Sequence, residues 1–155
     1  MTHIVKAGAE RAEDLAAIHA QCFDQPWAAD TFRRLMGHKG TFALIARDDD
    51  KAKAAGFGLV RVAGGESELL SLGVVPAARR RGLAAKLLAV ALDHSAVAGA
   101  AHMVLEVAED NPAALGLYRA YLFQPVGRRV RYYARPGGAA DAITMKKSLR
   151  SAPSA

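Results

Sequence analysis

"SELLSLGVVPAARRRGLAAKLLAVALDHSAVAGAAHMVLEVA", Ser67 to Ala108, reads as strand, helix, strand, and this passage decides the fold. "SELLSLGVV" is a strand that closes at Val74 and Val75, where Pro76 turns the chain away. From Gly82 to about Val97 the residues Leu83, Leu87, Val90 and Ala91 recur at helical spacing and share one face. "HMVLEVA" is too short and too β-branched for a helix and reads as a buried strand. A strand, helix, strand passage of this length is a crossover, expected to be right-handed, that lays two parallel strands in one sheet.

Upstream, "HIVKAG" predicts a short strand, and "ERAEDLAAIHAQCF" predicts a helix with Leu15, Ile18, His19 and Cys22 on one side. "QPWAADTFRRLM" predicts a second helix with Phe32 and Leu35 inward. "TFALIAR" and "AAGFGLVRV" are two strands joined by the charged turn "DDDKAK". Downstream, "NPAALGLYRAY" predicts a helix with Asn111 as N-cap and Pro112 in its first position. "PVGRRVRYYA" and "DAITMKKSL" then read as strands around the loop "RPGGAA". The expected class is α/β (α+β): one mixed, twisted sheet of about seven strands with about four helices. Residues 1–150 form the domain and residues 151–155 a frayed tail.

At 155 residues, 52% of them hydrophobic, the chain can bury one real core but not two. The formal net charge of +6 favours anionic ligands without choosing among nucleic acid, phosphorylated cofactors and acidic proteins. Cys22 is the only cysteine, so no internal disulfide and no thiol metal cluster can form. His3, His19, His38, His94 and His102 lack ligand spacing, and no metal is expected. The opening residues lack a signal peptide's apolar core and no run reaches membrane length, so the expected location is cytoplasmic, away from membranes. "GRRVRYY" interleaves basic and aromatic residues, but strand alternation would split them between two faces, which argues against direct nucleic-acid binding.

Two features carry chemistry. The helix that follows "RRRG" exposes unpaired N–H groups and a positive dipole end, to which Arg79, Arg80 and Arg81 add charge. An elongated anion such as a pyrophosphate would offset that crowding; a solvated surface patch is the alternative. Glu106 lies among Val104, Leu105 and Val107. If withdrawn from water it suits a general base, although alternation allows it to face solvent instead. Tyr118 follows one helix later.

Taken together, "VVPAARRRGLAAKLL", "VLEVAEDNPAALGLYRAYLF", "RRVRYY" and "DAITM" resemble the GNAT acyltransferase superfamily over about Ile4 to Leu149, and within it the RimI-like branch that acetylates protein N-termini. "PWAADTF" resembles the segment that branch carries before its second strand. The resemblance implies acetyl-CoA as co-substrate. Its pantetheine arm would run along the backbone of Leu72, Gly73 and Val74, and its pyrophosphate would rest on the amides around Arg80, Arg81, Gly82, Leu83, Ala84 and Ala85. It also implies Glu106 as general base, Tyr118 as general acid at the departing thiolate and as cofactor contact, and Asn111 as a further cofactor contact. Trp27, Tyr132 and Tyr133 would line the acceptor groove. The implied partner is a protein or peptide with a free N-terminus, in the RimI case the N-terminal alanine of a small-subunit ribosomal protein.

A small amine or lysine acceptor, or a non-catalytic acyl-CoA-binding or protein-interaction module, are the rival readings, and Glu68 is the reserve candidate for the base. The chain departs from the family pattern at Ala84, which is still small, and at Leu122, where relatives carry glycine before the phenylalanine. If that turn needs positive φ, leucine would be strained there, and a different local backbone would leave the exact placement of the following strand open.

Overall fold

A computed structural model describes residues 2–48 and 53–149. Most of the "DDDKAK" turn and all of residues 150–155 lie outside the described residues. The elements are β1 (Thr2–Ala7), α1 (Ala12–Cys22), α2 (Ala29–Met36), β2 (Thr41–Asp48), β3 (Ala54–Ala63), β4 (Glu66–Val74), α3 (Leu83–Val97), β5 (His102–Ala108), α4 (Pro112–Ala120), β6 (Gln124–Arg135) and β7 (Gly138–Ser148). Their order is the one the sequence predicts. The seven strands form one sheet in the order β1-β2-β3-β4-β5-β7-β6. β4 and β5 pair in parallel and the remaining neighbours are antiparallel.

Two glycines show which helices cover which face. A Cβ on Gly73 would come within 3.0 Å of the Phe57 ring and 3.1 Å of Cys22 at the end of α1. One on Gly56 would meet Leu87 of α3 at 3.2 Å. Gly56 and Phe57 are successive residues of β3 and point to opposite faces, so α1 and α3 lie on opposite sides of the sheet. α2 shares the α1 side, where Phe32 packs edge-on to Phe57. The fully buried Leu15, Phe32, Leu44, Ile45, Phe57, Leu59, Leu87 and Met103 form the centre of this core, each contributing about 1.5–3 kcal/mol of burial.

The sheet opens at its middle. β4 and β5 pair only at Glu66–Glu68 with His102–Val104. Past Glu68, β4 keeps only β3 as a neighbour; past Val104, β5 keeps only β7. A register shift opposite Leu59 and Val60 puts an extra residue, Leu70, into β4 as the two strands separate. The result is a wedge between two parallel strands whose facing backbone edges have no strand partner.

Candidate active site

The narrow end of the wedge belongs to Glu68 and Val104, which are paired. Alternation from Val104 puts Glu106 on that same face, the α1 side, while Met103, Leu105 and Val107 are buried on the other. Glu106 therefore does not stand in open solvent: its side chain is 24% exposed, Oε1 lies 2.9 Å from Nη2 of Arg129, and Oε2 is buried without a hydrogen-bond partner among the described residues. Glu68, the reserve base, is held by Arg61 at 3.1 Å.

Tyr118, on α4, is buried and packs edge-on against Phe123 at 5.7 Å. Burial, and secondarily the charge of Tyr133, push its pKa up to about 12, so the phenol is protonated throughout the neutral range. Tyr133 is half-buried, and its own pKa is raised by burial first and then by the Glu106 carboxylate. It thus lies within electrostatic reach of both the base and acid candidates. Tyr132 is exposed and meets Tyr133 edge-on at 5.1 Å.

These tyrosines are placed by an irregularity that a regular strand reading misses. Arg129 pairs with Ala142 and Tyr133 with Ala140, so Val130, Arg131 and Tyr132 together oppose Asp141 alone. Arg131 takes φ +57° inside this bulge and donates its N–H to Asp141 Oδ1 at 2.8 Å. The expectation that alternation would split "GRRVRYY" between two faces is thereby corrected. The Arg129 guanidinium stands 4.9 Å from the Tyr132 ring, a contact that uninterrupted alternation would forbid.

At the wide end of the wedge, Gly82 caps α3 at φ +73°, no side chain caps that helix start, and Arg80 is also left-handed at φ +66°. Left-handed residues at the head of a helix turn successive amides toward one point, a concavity suited to phosphate oxygens. A shallow depression there is lined by Val74, Ala78, Arg79, Arg80, Gly82 and Leu83. Arg79 is exposed like Arg80 but is tied back to the strand before it. Its Nε turns back to the Val74 carbonyl at 3.0 Å, and its charge offsets part of the rise in pKa that burial gives the Cys22 thiol. The Tyr121 hydroxyl donates to the Ala85 carbonyl at 3.3 Å and ties α4 to the first turn of α3. Asn111 acts as the predicted N-cap, accepting from the Ala114 N–H at 3.1 Å.

The opposite wall is the α1–α2 connection. Trp27 is half-buried, stacked on buried His19 at 4.8 Å, in an aromatic group with Phe23, Phe32 and Phe57. Asp24 in the same connection is near enough to Arg135 of β6 to act on its charge. Tyr133 is thus within electrostatic reach of Glu106, and the α1–α2 connection within that of β6. The contacts of His19, Arg129 and Tyr121 were not legible in the sequence, because each is made to a residue outside its own element.

Residues 12–122 match the model of the acetyltransferase (GNAT) family. The chain belongs to that family. It is 38% identical over 148 residues to the N-alpha-acetyltransferase RimI of Mycobacterium tuberculosis, covering 93% of this chain and 89% of that one. Its fold superposes on the ribosomal-protein-S18-alanine N-acetyltransferase of Escherichia coli with a TM-score of 0.91 at 27% identity, covering 98% and 96% of the two chains. It also matches Arabidopsis thaliana NAA60 in complex with acetyl-CoA, with a TM-score of 0.79 at 20% identity over 96% and 98% of the chains, a likeness of fold. The GNAT protein is thus an acetyltransferase of RimI type with a mixed α/β fold. Among the described residues no group of three His, Cys, Asp or Glu side chains could hold a metal ion, and no helix is long and apolar enough to cross a membrane.

Proposed function

We propose that the protein transfers acetyl from acetyl-CoA to the α-amino group of a protein N-terminus, with the N-terminal alanine of a ribosomal protein as the leading acceptor, and that it does so in the cytoplasm. The observation that carries this reading is the position of Glu106, with a buried, unpartnered carboxylate oxygen, on the open face of the wedge between β4 and β5. The likeness to the M. tuberculosis RimI supports the same acceptor class.

The wedge fits the co-substrate. The backbone edge at Leu72, Gly73 and Val74 offers a strand-like partner for an amide-bearing arm, and the amides from Arg80 to Ala85 offer donors for a pyrophosphate. When bound there, acetyl-CoA supplies the acetyl group as an activated thioester. Glu106 accepts the proton that the attacking amine must lose, directly or through one water. Tyr118, protonated and out of water, gives its proton to the sulfur that leaves. Asn111 borders the wedge at the start of α4, and Trp27, Tyr132 and Tyr133 hold the acceptor chain over Glu106.

An α-amine suits this machinery. Neutralising one at pH 7 costs about 1 kcal/mol, whereas a lysine side chain costs about 4.6 kcal/mol. The test is acetyl-CoA consumption across peptides starting with alanine, serine or methionine, the same peptides with blocked N-termini, and free polyamines and lysine. Turnover confined to free N-termini, with alanine ahead, supports the reading. Turnover on polyamines or blocked lysine peptides would move the acceptor to small amines or lysine. Coenzyme A binding without turnover would leave a binding module.

A further inference from the structure

We propose that Arg129 is a positioning residue for the candidate base: it reaches across β7 to hold Oε1 of Glu106 and leaves Oε2 as the oxygen that meets the acceptor amine. This rests on the reading of Glu106 as general base given above.

The sheet register brings the two residues together. Glu106 of β5 pairs with Thr144 of β7, and Arg129 of β6 pairs with Ala142 of β7. Thr144 and Ala142 are two residues apart in one strand, so Glu106 and Arg129 stand on the same face with a single strand between them. Neighbouring strands lie about 4.8 Å apart, so the pair must bridge roughly 10 Å of backbone. Two long side chains cover that distance, and Ala142 carries only a methyl group to stand in the way. The contact closes at 2.9 Å between Arg129 Nη2 and Glu106 Oε1, with the guanidinium 4.9 Å from the Tyr132 ring.

The other charges around the pair have partners of their own. Arg128 alternates to the opposite face and binds Glu109 and Asp141, each at 2.6 Å. Arg61 holds Glu68 at 3.1 Å, and Arg135 holds Asp110 at 2.7 Å. Lys146 shares the face of Glu106 but lies 3.7 Å from Glu66.

The consequence is a carboxylate with two unlike oxygens. Oε1 is occupied, while Oε2 is buried and has no hydrogen-bond partner among the described residues. An untied carboxylate turns about its last bond and presents its oxygens in many directions; one tied at Oε1 presents Oε2 in few. The acceptor amine, or a water before it, gives its proton to that oxygen. The N–H bond breaks, the Oε2–H bond forms, and the nitrogen keeps the electron pair with which it attacks the thioester. Arg129 stays in place throughout, and what it adds is orientation that acts only through Glu106.

The test is a double-mutant cycle on acetylation of a peptide with a free N-terminal alanine, using Arg129→Gln, Glu106→Gln and the double variant, with Arg129→Lys beside them. Single turnovers with enzyme in excess bring the slow Glu106→Gln background within reach. Arg129→Gln should lower kcat about tenfold, a part of the roughly 10²–10⁴-fold that a general base supplies. KM for the peptide and affinity for coenzyme A should stay within about twofold, which separates lost orientation from lost binding. Arg129→Lys keeps a cation on a long arm and should fall between the wild type and Arg129→Gln. In the Glu106→Gln background the change at Arg129 should alter kcat by less than about twofold, because the group it orients is gone. Tm establishes that each variant is folded.

Full kcat in Arg129→Gln, an equal loss in both backgrounds, or a raised KM with kcat unchanged would overturn the proposal while Glu106 remains the base. Full kcat in Glu106→Gln alone would overturn the base reading, and the role of Arg129 with it.

Discussion

Trp27 donates its backbone N–H to Nδ1 of His19 at 3.0 Å, while its indole lies stacked on the same imidazole at 4.8 Å and 18°. Only an unprotonated Nδ1 can accept that bond, and burial pushes the His19 pKa down to about 4. In the unfolded chain the same group titrates near 6.5. Between those values the unfolded chain binds a proton that the folded protein refuses, so stability falls as pH falls through the window. The loss approaches about 3 kcal/mol below pH 4. His19→Phe keeps the ring stack and removes this proton. It should cost about 1 kcal/mol at neutral pH, through the orphaned Trp27 N–H, and lose less stability on acidification. Urea melts of both proteins at pH 7 and pH 4.5 check this, and an identical acid loss in the variant would show that other groups cause it.

Gly82 separates backbone strain from cofactor contact. Its φ is +73°, and a Cβ built there meets nothing within 4 Å. Gly82→Ala should therefore cost about 1 kcal/mol through the left-handed backbone alone, with no packing clash. Gly82→Glu adds a carboxylate in front of the α3 amides. It should melt close to Gly82→Ala yet lose coenzyme A binding at least tenfold further. Calorimetric titration with coenzyme A reads this, and equal affinity in the two variants would place the pyrophosphate elsewhere.

The fold was legible because its elements announce themselves locally. Pro76 follows the end of β4 and Gly82 opens α3, Asn111 and Pro112 open α4, and alternation marks Met103, Leu105 and Val107 as the buried face of β5. Glu106 could be singled out, but its surroundings could not. Arg129 lies 23 residues away and reaches it only because β7 lies between their strands and β6 bulges just beyond Arg129. Arg79 reads as one of three equal cations, yet the carbonyl it bonds belongs to a strand that has already ended. His19 reads as a helix-face residue; its partner, the Trp27 N–H, comes from a connection whose path has no periodicity to follow.

Tyr118 offers a pH test of its proposed role as acid. With its pKa pushed to about 12, the phenol keeps its proton through any pH at which an assay is practical. Loss of that proton cannot set an alkaline limb of kcat below about pH 10. Tyr118→Phe should lower kcat by on the order of a hundredfold while leaving coenzyme A affinity within a few-fold. The residual activity should keep the wild-type profile's shape up to that pH. A variant that retains full kcat would remove the assigned role, and an alkaline limb near pH 9 that disappears in Tyr118→Phe would show that the phenol ionises in the working enzyme.

Leu122 is where the sequence raises a conflict that the structure resolves against the residue and in favour of the turn. Leucine takes φ +68° and is 72% exposed, so the backbone keeps the conformation glycine would choose, and β6 pairs with β7 from Gln124 onward. The Leu122 N–H donates to the Arg119 carbonyl at 2.9 Å and the Phe123 N–H to the Tyr118 carbonyl at 3.0 Å, the two bonds of a Schellman ending to α4. That ending also sets buried Phe123 against the Tyr118 ring. Left-handed leucine costs roughly 1–2 kcal/mol; glycine gives back about 0.4–1 kcal/mol through the freedom of the unfolded chain. Leu122→Gly should therefore stabilise the protein by about 0.5–1 kcal/mol, with little burial lost. Denaturation midpoints check it. A loss of stability would mean that the exposed leucine is covered in solution, and an accompanying fall in kcat would mean that the turn, through Phe123, holds Tyr118 in place.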